Sequence, residues 1–397
     1  MLGSSLLRIG LLASATWLGN VQAATLREAL DHAWAAQANQ LSARDQQFSA
    51  QVAASQAWTP APPSIGLFNT TDQLNGDYGR REWEVGVSAP IWLPGQREQA
   101  EALASAEQAA FSGRSALSRW QLAGQLRESS WALRLAQLEL RSAGEQLQAA
   151  QLLAKDVGQR VRAGELAALD GNLAQSRIQQ AKRQQGIAQL ELQRARQTFA
   201  LISRGATLPE QNELLATPPA LELHPLLSSL QDATRSAQAR LEQATGDTRD
   251  APELALSYTS ERDESSAPYR GRVKLGITVP FGSESRNRPR ISAANADWIE
   301  AQTSRELESQ RISAELANAR LELSQSQQQR ALADEELTLA KQRAEWIAKG
   351  FRLGQFDLPA QLRSQQEQLE AQAQVTRAEY GIGRAISRFN QAAGVLP

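Results

Sequence analysis

Two hydrophobic rhythms alternate along the chain. In EWEVGVSAPIW, Trp83, Val85, Val87 and Ala89 fall on one side, and Glu82, Glu84, Gly86 and Ser88 on the other. YRGRVKLGITVPF repeats the pattern, with Val273, Leu275, Ile277 and Val279 opposite Arg270, Arg272, Lys274 and Thr278. A period of two over about eight residues predicts a β-strand with one apolar and one polar face. Each run has a partner before it. IGLFNTT precedes the first, and Asn75-Gly76 between them is a hairpin signal. ELALSYTS, with Leu254, Leu256 and Tyr258 on one face, precedes the second across the polar turn RDESSAP.

Elsewhere the spacing is four and three. The seam Leu122, Leu126, Ser129, Leu133, Ala136, Leu140, Ala143, Leu147, Ala150, Ala154, Val157 and Val161 lies in a stretch without proline from Arg97 to Arg162. That predicts one helix over 97–162, about 100 Å long at ~1.5 Å per residue, too long for a compact domain. It stops at RAGEL, where Gly164 supplies a turn over 163–168, and a return helix follows from about Leu169 to Ser203. Ahead of the first strand pair, Thr25 to Ala57 reads as a helix, with Thr25 and Glu28 forming a capping box and Pro60, Pro62 and Pro63 beyond its end.

After a Pro-rich linker, Ser203 to Pro225, the order recurs. A short helix (about Pro225 to Thr245), a strand pair (252–282), a long helix (289–349), a turn (350–357, RLGQF) and a last helix to about Ala393 follow. Pro90 and Pro280 lie 190 positions apart, and so do Gly164 and Gly354. Two landmarks at one offset point to a duplicated unit, 24–210 and 211–397, with strand pairs at 63–92 and 252–282. Each second strand ends on a proline, which has no N–H for a sheet ladder. Pro90 and Pro280 are therefore expected where the chain bends from sheet to helix.

Composition narrows the function. Net charge is −1, with no Cys, two His and one Met. That leaves no disulfide, no thiol catalysis and little for a soft metal, and gives no pull toward nucleic acid. No Ser/His/Asp set or phosphate loop is present, so neither an enzyme nor a cofactor is expected. Arg8 and the apolar run IGLLASATWLG, followed by Val21-Gln22-Ala23, predict a leader over 1–23, cleaved after Ala23. No Cys follows it to carry a lipid. Beyond residue 23 no apolar run reaches the ~18 residues of a membrane helix, so entry into a membrane would need a β-barrel. Four strands cannot close one, since the smallest has about eight. Closure alone permits two, three or four copies.

The TLREAL start, a strand ending in P-I/F, a long helix, an R-x-G turn, a short helix, and all of it again: this order resembles the TolC-like outer-membrane efflux channel family over essentially the whole chain after residue 23. EWEVGVSAPIWLPGQRE and LGITVPFGSESRNR resemble the heavy-metal (cobalt-zinc-cadmium, CzcC-type) branch. The resemblance implies a mainly α fold with a small membrane β-barrel, a homotrimer sharing twelve strands, and a helical tunnel across the periplasm. It implies docking to a periplasmic adaptor and an inner-membrane RND-type pump, with heavy-metal cations as cargo. Drug efflux and type I protein secretion use similar ducts. A periplasmic coiled-coil adaptor would carry one helical hairpin, not two.

By the same resemblance Arg162, Gly164, Leu166, Arg352, Gly354 and Phe356 are adaptor-docking tips, although turn chemistry alone explains the glycines. Asp170, Asp357 and Arg363 are candidates for the periplasmic gate. The chain departs from the family's acidic ring, having Ala360 and Arg363 where paired acids stand. Arg270, Arg272 and Lys274 are expected in the barrel lumen or at its rim. Trp83, Trp92, Tyr258, Tyr269 and Phe281 suit an interfacial aromatic girdle, with packing at the barrel–helix junction the alternative for Trp92 and Phe281. His32 and His224 are expected to be ordinary packing or surface residues, and no metal site is expected.

Overall fold

The computed structural model describes residues 25–72, 75, 78–247, 249–281 and 284–397. The expected leader and Gly76 of the hairpin signal lie outside them. The elements are α1 (Leu26–Ser55), β1 (Ser64–Thr71), β2 (Arg81–Pro90), α2 (Gln96–Arg162), α3 (Ala168–Ser203), a 3-10 turn (Leu221–Leu223), α4 (Pro225–Gly246), β3 (Glu253–Arg262), β4 (Arg270–Thr278), α5 (Glu284–Arg352) and α6 (Leu358–Ala392). Helix, two strands, long helix and return helix thus occur twice in one order.

The long helices form where the seven-residue seam runs. Leu126, Ser129, Leu133, Ala143, Ala150 and Val157 of the seam are buried. A second stripe of α2, including Trp131 and Leu138, is buried as well. Here α2 meets α6: the Trp131 indole donates to Ser387 Oγ at 3.0 Å and stands edge-on to Tyr380. Gly383 lies under the indole, with no room for a Cβ. One core joins Leu26 and Leu30 of α1, Leu126 and Leu133 of α2, and Leu192 and Phe199 of α3. Thr25 caps α1 through the expected box with Glu28.

The start of α5 differs from the expected Pro289. The helix begins at Glu284 and carries Pro289 inside its N-terminal end. Proline has a helical φ and forfeits one backbone bond, which so near an end does not stop the helix. Among the described residues no helix is long and apolar enough to cross a membrane.

The strands form one antiparallel sheet in the order β1-β2-β3-β4. Register aligns Leu67, Val85, Tyr258 and Val273, and likewise Ile65, Val87, Leu256 and Leu275. The period-two residues therefore merge into one continuous apolar face. β1 and β4 each have a neighbour on one side only.

Candidate channel wall and helix tips

The apolar face of the sheet is open, not packed. Leu67, Val273 and Leu275 are each more than 70% exposed, with Trp83 and Tyr258 about half exposed beside them. A face this large and this apolar, left in water, would be a liability. Against lipid it is the expected wall of a barrel, with polar residues facing the lumen.

The polar face carries the charges. Arg80 Nη2 lies 3.0 Å from Glu261 and 3.2 Å from Glu82. Glu261, only 4% exposed, also pairs with Arg272. Arg270 stands opposite Glu261, and Lys274 opposite Ser257. Arg270, Arg272 and Lys274 share this polar face, with Arg270 at its hairpin end.

Pro90 is the last residue of β2, paired with Glu253, and the ladder runs one bond past it, from the Ile91 N–H to Pro252 O at 2.7 Å. Pro280 lies two residues beyond the end of β4. Both prolines therefore lie at or just past the end of a strand, and the helices start a few residues later. Trp92 is a junction residue, its indole donating to Ala57 O at 3.0 Å. Phe281 is 96% exposed. Tyr269 lies under the Arg262 guanidinium.

At the far end the two helix–helix turns are built alike. Gly164 and Gly354 have φ of 78° and 73°, a left-handed conformation that costs other L-residues energy. Each turn closes with paired bonds, Glu165 N–H to Arg160 O (2.9 Å) with Gly164 N–H to Val161 O (3.1 Å), and Gln355 N–H to Gly350 O (2.8 Å) with Gly354 N–H to Phe351 O (3.2 Å). This is the Schellman arrangement. Arg162, Arg352 and Phe356 are exposed, and Leu166 is half-buried. Val157, Ala174, Phe351 and Leu358 form a small core under both tips, and the Arg160 guanidinium lies over Phe351.

Asp170 and Asp357 act locally. Asp170 accepts from the Ala167 N–H at 3.2 Å, and Asp357 from the Ala360 N–H at 2.9 Å. Each caps the start of a return helix, from different positions of the two turns. Among the described residues Asp357 and Arg363 form no ion pair within the chain.

Sequence reasoning missed a clamp midway along α2. Arg127, 2% exposed, holds Glu213 of the linker through Nε and Nη2 (2.7–3.1 Å), the Val395 carbonyl at 3.0 Å, and the Gln391 side chain. One heptad on, Arg134 donates to Pro209 O and Asn212 while lying over Trp131. Next to Arg127, burial pushes the Glu128 carboxyl up, but hydrogen bonds from Arg388 and Arg384 outweigh this and hold it below the usual value. His224 is buried, edge-on to Trp120, and its Nδ1 accepts from the Leu226 N–H at 3.2 Å, capping α4. His32 Nδ1 lies 3.3 Å from Ser203 O.

No protein-family model and no curated protein sequence matches the chain. Solved structures do. A structure of CusC, described in terms of folding and transmembrane channel formation, superposes with a TM-score of 0.77 at 16% identity, over 95% of this chain and 96% of that one. The outer-membrane channel OprN gives 0.75 at 21% identity, over 93% and 89%. The open state of the Neisseria gonorrhoeae MtrE outer membrane channel gives 0.74 at 15%, over 93% and 89%.

Proposed function

We propose that this chain, which has the TolC-like fold of those channels, is one subunit of a passive outer-membrane exit duct in a tripartite efflux pump. The observation that carries the reading is the four-stranded sheet. One face is apolar and exposed, the other is polar and charged, and among the described residues both edges lack a partner strand. Such a sheet is stable in lipid only when its edges close. Three copies supply twelve strands, above the minimum of about eight, and the similar structures are channels.

In this reading residues 24–210 and 211–397 are two copies of one unit, and α2 and α5, at about 100 Å each, line a tunnel through the periplasm. Pro90 and Pro280 mark where wall turns to tunnel. The tips dock an adaptor, which in turn meets an RND-type pump. Support comes from matching turn geometry at Arg162–Leu166 and Arg352–Phe356, with Leu169 and Leu353 about two-thirds exposed beside them. Asp170, Asp357 and Arg363 lie at the tunnel mouth, where a contact between neighbouring subunits would form the gate. A heavy-metal cargo rests on the resemblance of the two strand-end segments alone. Detergent-extracted protein from the outer-membrane fraction should run as a trimer and conduct ions in planar bilayers. A monomer without conductance would overturn the duct.

A further inference from the structure

Four helices reach the tips. α3 packs along α2, α2 along α6, and α6 along α5. α3 and α5 therefore stand at the two edges of this layer, and the open apolar side chains are concentrated on them. Leu321, Leu332, Leu339, Trp346 and Leu353 of α5 are each at least 60% exposed, and the last four recur every seven residues. On α3, Ile187 and Leu190 are more than half exposed. α2 and α6, which lie between, expose one large apolar side chain among the described residues, Leu152. Apolar stripes of this length mark a surface that meets a partner.

The two return helices match at an offset of 190 positions, the spacing of Gly164 and Gly354. Ala174, Ala181, Ala188 and Phe199 of α3 are buried, and so are Ser364, Ala371, Ala378 and Phe389 of α6. α6 has a further buried pair, Gly383 and Ser387, which meets Trp131 of α2. The matching α3 positions, Gln193 and Gln197, are exposed. The long helices differ in the same way. Trp131 and Ser142 of α2 are buried, whereas Leu321 and Leu332, the matching α5 positions, are open. So each edge helix carries the face that its counterpart buries in the α2–α6 joint.

That joint is specific. Trp131 stands edge-on to Tyr380. Glu128 accepts from Arg384 and Arg388, and Glu139 from Arg377. Moved by 190 positions, Trp131 on Tyr380 becomes Leu321 on Leu190. Glu128 with Arg384 becomes Asn318 with Arg194, and Glu139 with Arg377 becomes Gln329 with Ile187. Both glutamates are replaced by amides, and the aromatic pair by a leucine pair. Since α3 and α5 are opposite edges of one layer, their faces meet only between two chains.

We propose that α5 of one copy packs against α3 of the next in the register of the α2–α6 joint, with Leu321 on Leu190 at its centre. The exit-duct reading, on which this inference rests, calls for several copies around one tube; the two faces fix which helices join them, at what level and by what chemistry. At these positions the joint within the chain is fastened by ion pairs, and the joint between copies by apolar contact. α5 ends at the tips and α3 begins there. Trp346 and Leu353 thus come level with Leu173 and Leu169 of the next copy, and the apolar seam runs on to the tunnel mouth.

The test is cross-linking of the full chain in outer membranes, where no native cysteine interferes. L190C/L321C treated with a short bismaleimide should move most of the chain from the monomer band into linked copies on a denaturing gel. L190C/L353C keeps both thiols on the same two faces but shifts one by ~48 Å along α5, and should stay monomeric, as should each single variant. Leu190 and Leu321 are exposed in the protomer, so substitutions there leave its core intact. L321E should lower the yield of oligomer severalfold, and L190R/L321E should restore it. An oligomer that survives on a native gel while L190C/L321C gives no linked copies overturns the proposal and leaves the duct standing. Equal linking by L190C/L353C overturns the register, and with it the proposal. A chain that is monomeric on the native gel without any substitution overturns the duct itself, and this inference with it.

Discussion

Arg127 shows how much one side chain contributes here. It is buried in the middle of α2, and it ties the linker and the C-terminal segment to that helix through Glu213 and the Val395 carbonyl. R127A strands a carboxylate and a carbonyl in a site built for a guanidinium. Removing one partner of a buried pair costs about 3–5 kcal/mol, so thermal melts followed by circular dichroism should fall well below wild type. R127K, without the planar fork, should recover only part of the loss. His224 makes a smaller, pH-dependent contribution. Burial lowers its pKa, with Glu315 opposing, and only the neutral ring accepts from the Leu226 N–H. Its contribution is complete above about pH 6.5, the unfolded value, and fades as pH falls through the lowered folded value. Melts at pH 7.5 and 5.5 should therefore diverge more in wild type than in H224N, where asparagine still caps. Neither residue was legible in the sequence. Arg127 sits beside seam residue Leu126 and reads as a solvated charge, because its partners are 86 and more positions away. His224 reads as an isolated histidine until Trp120 is seen against it.

At the scale of elements, local physics sufficed. Period two marks the strands to within a residue or two, because one face must be apolar throughout for the sheet to hold any register. The seam and the two glycines mark α2 and its turn, since nothing in that stretch breaks a helix and only glycine sits easily at φ near +75°. The start of α5 did not follow, because a proline one turn into a helix loses one backbone bond without ending the helix. The aspartates at the tips also cap the return helices, a role the sequence does not show because it depends on which backbone N–H groups end up unpaired. The apolar face carries its own prediction. Lysine at Val85 or Leu275 puts a charge on the outward side of a mid-sheet position. That costs about 2–4 kcal/mol if the face meets the bilayer midplane and little if it meets water. V85K and L275K should therefore cut the amount of assembled oligomer in the membrane fraction severalfold, whereas S257K on the opposite face should not lower it through lipid exposure. Equal yields for V85K and wild type would mean that the face does not meet lipid.

For the whole molecule the open question is which strand completes the sheet. Among the described residues no strand lies along the outer edges of β1 and β4, and in lipid an unpaired N–H or C=O costs several kcal/mol. In the exit-duct reading four strands cannot close within one chain, so β4 of one copy meets β1 of another. In the up-and-down order of this sheet that pair is antiparallel, which brings the Ser64 end of β1 to the Thr278 end of β4. The native chain has no cysteine, so cross-links can be placed without background. In S64C/T278C, and in S64C/G276C to cover a register shift, mild oxidation should join copies only through that seam. A ring of identical seams yields a ladder on denaturing gels that ends at the number of subunits, and twelve strands require it to end at three. Either single variant should stay monomeric on the same gel, since it has only one of the two thiols at each seam. A ladder ending at two or four would keep the closed wall but change its strand number, and no ladder from either pair would mean that β1 and β4 do not meet.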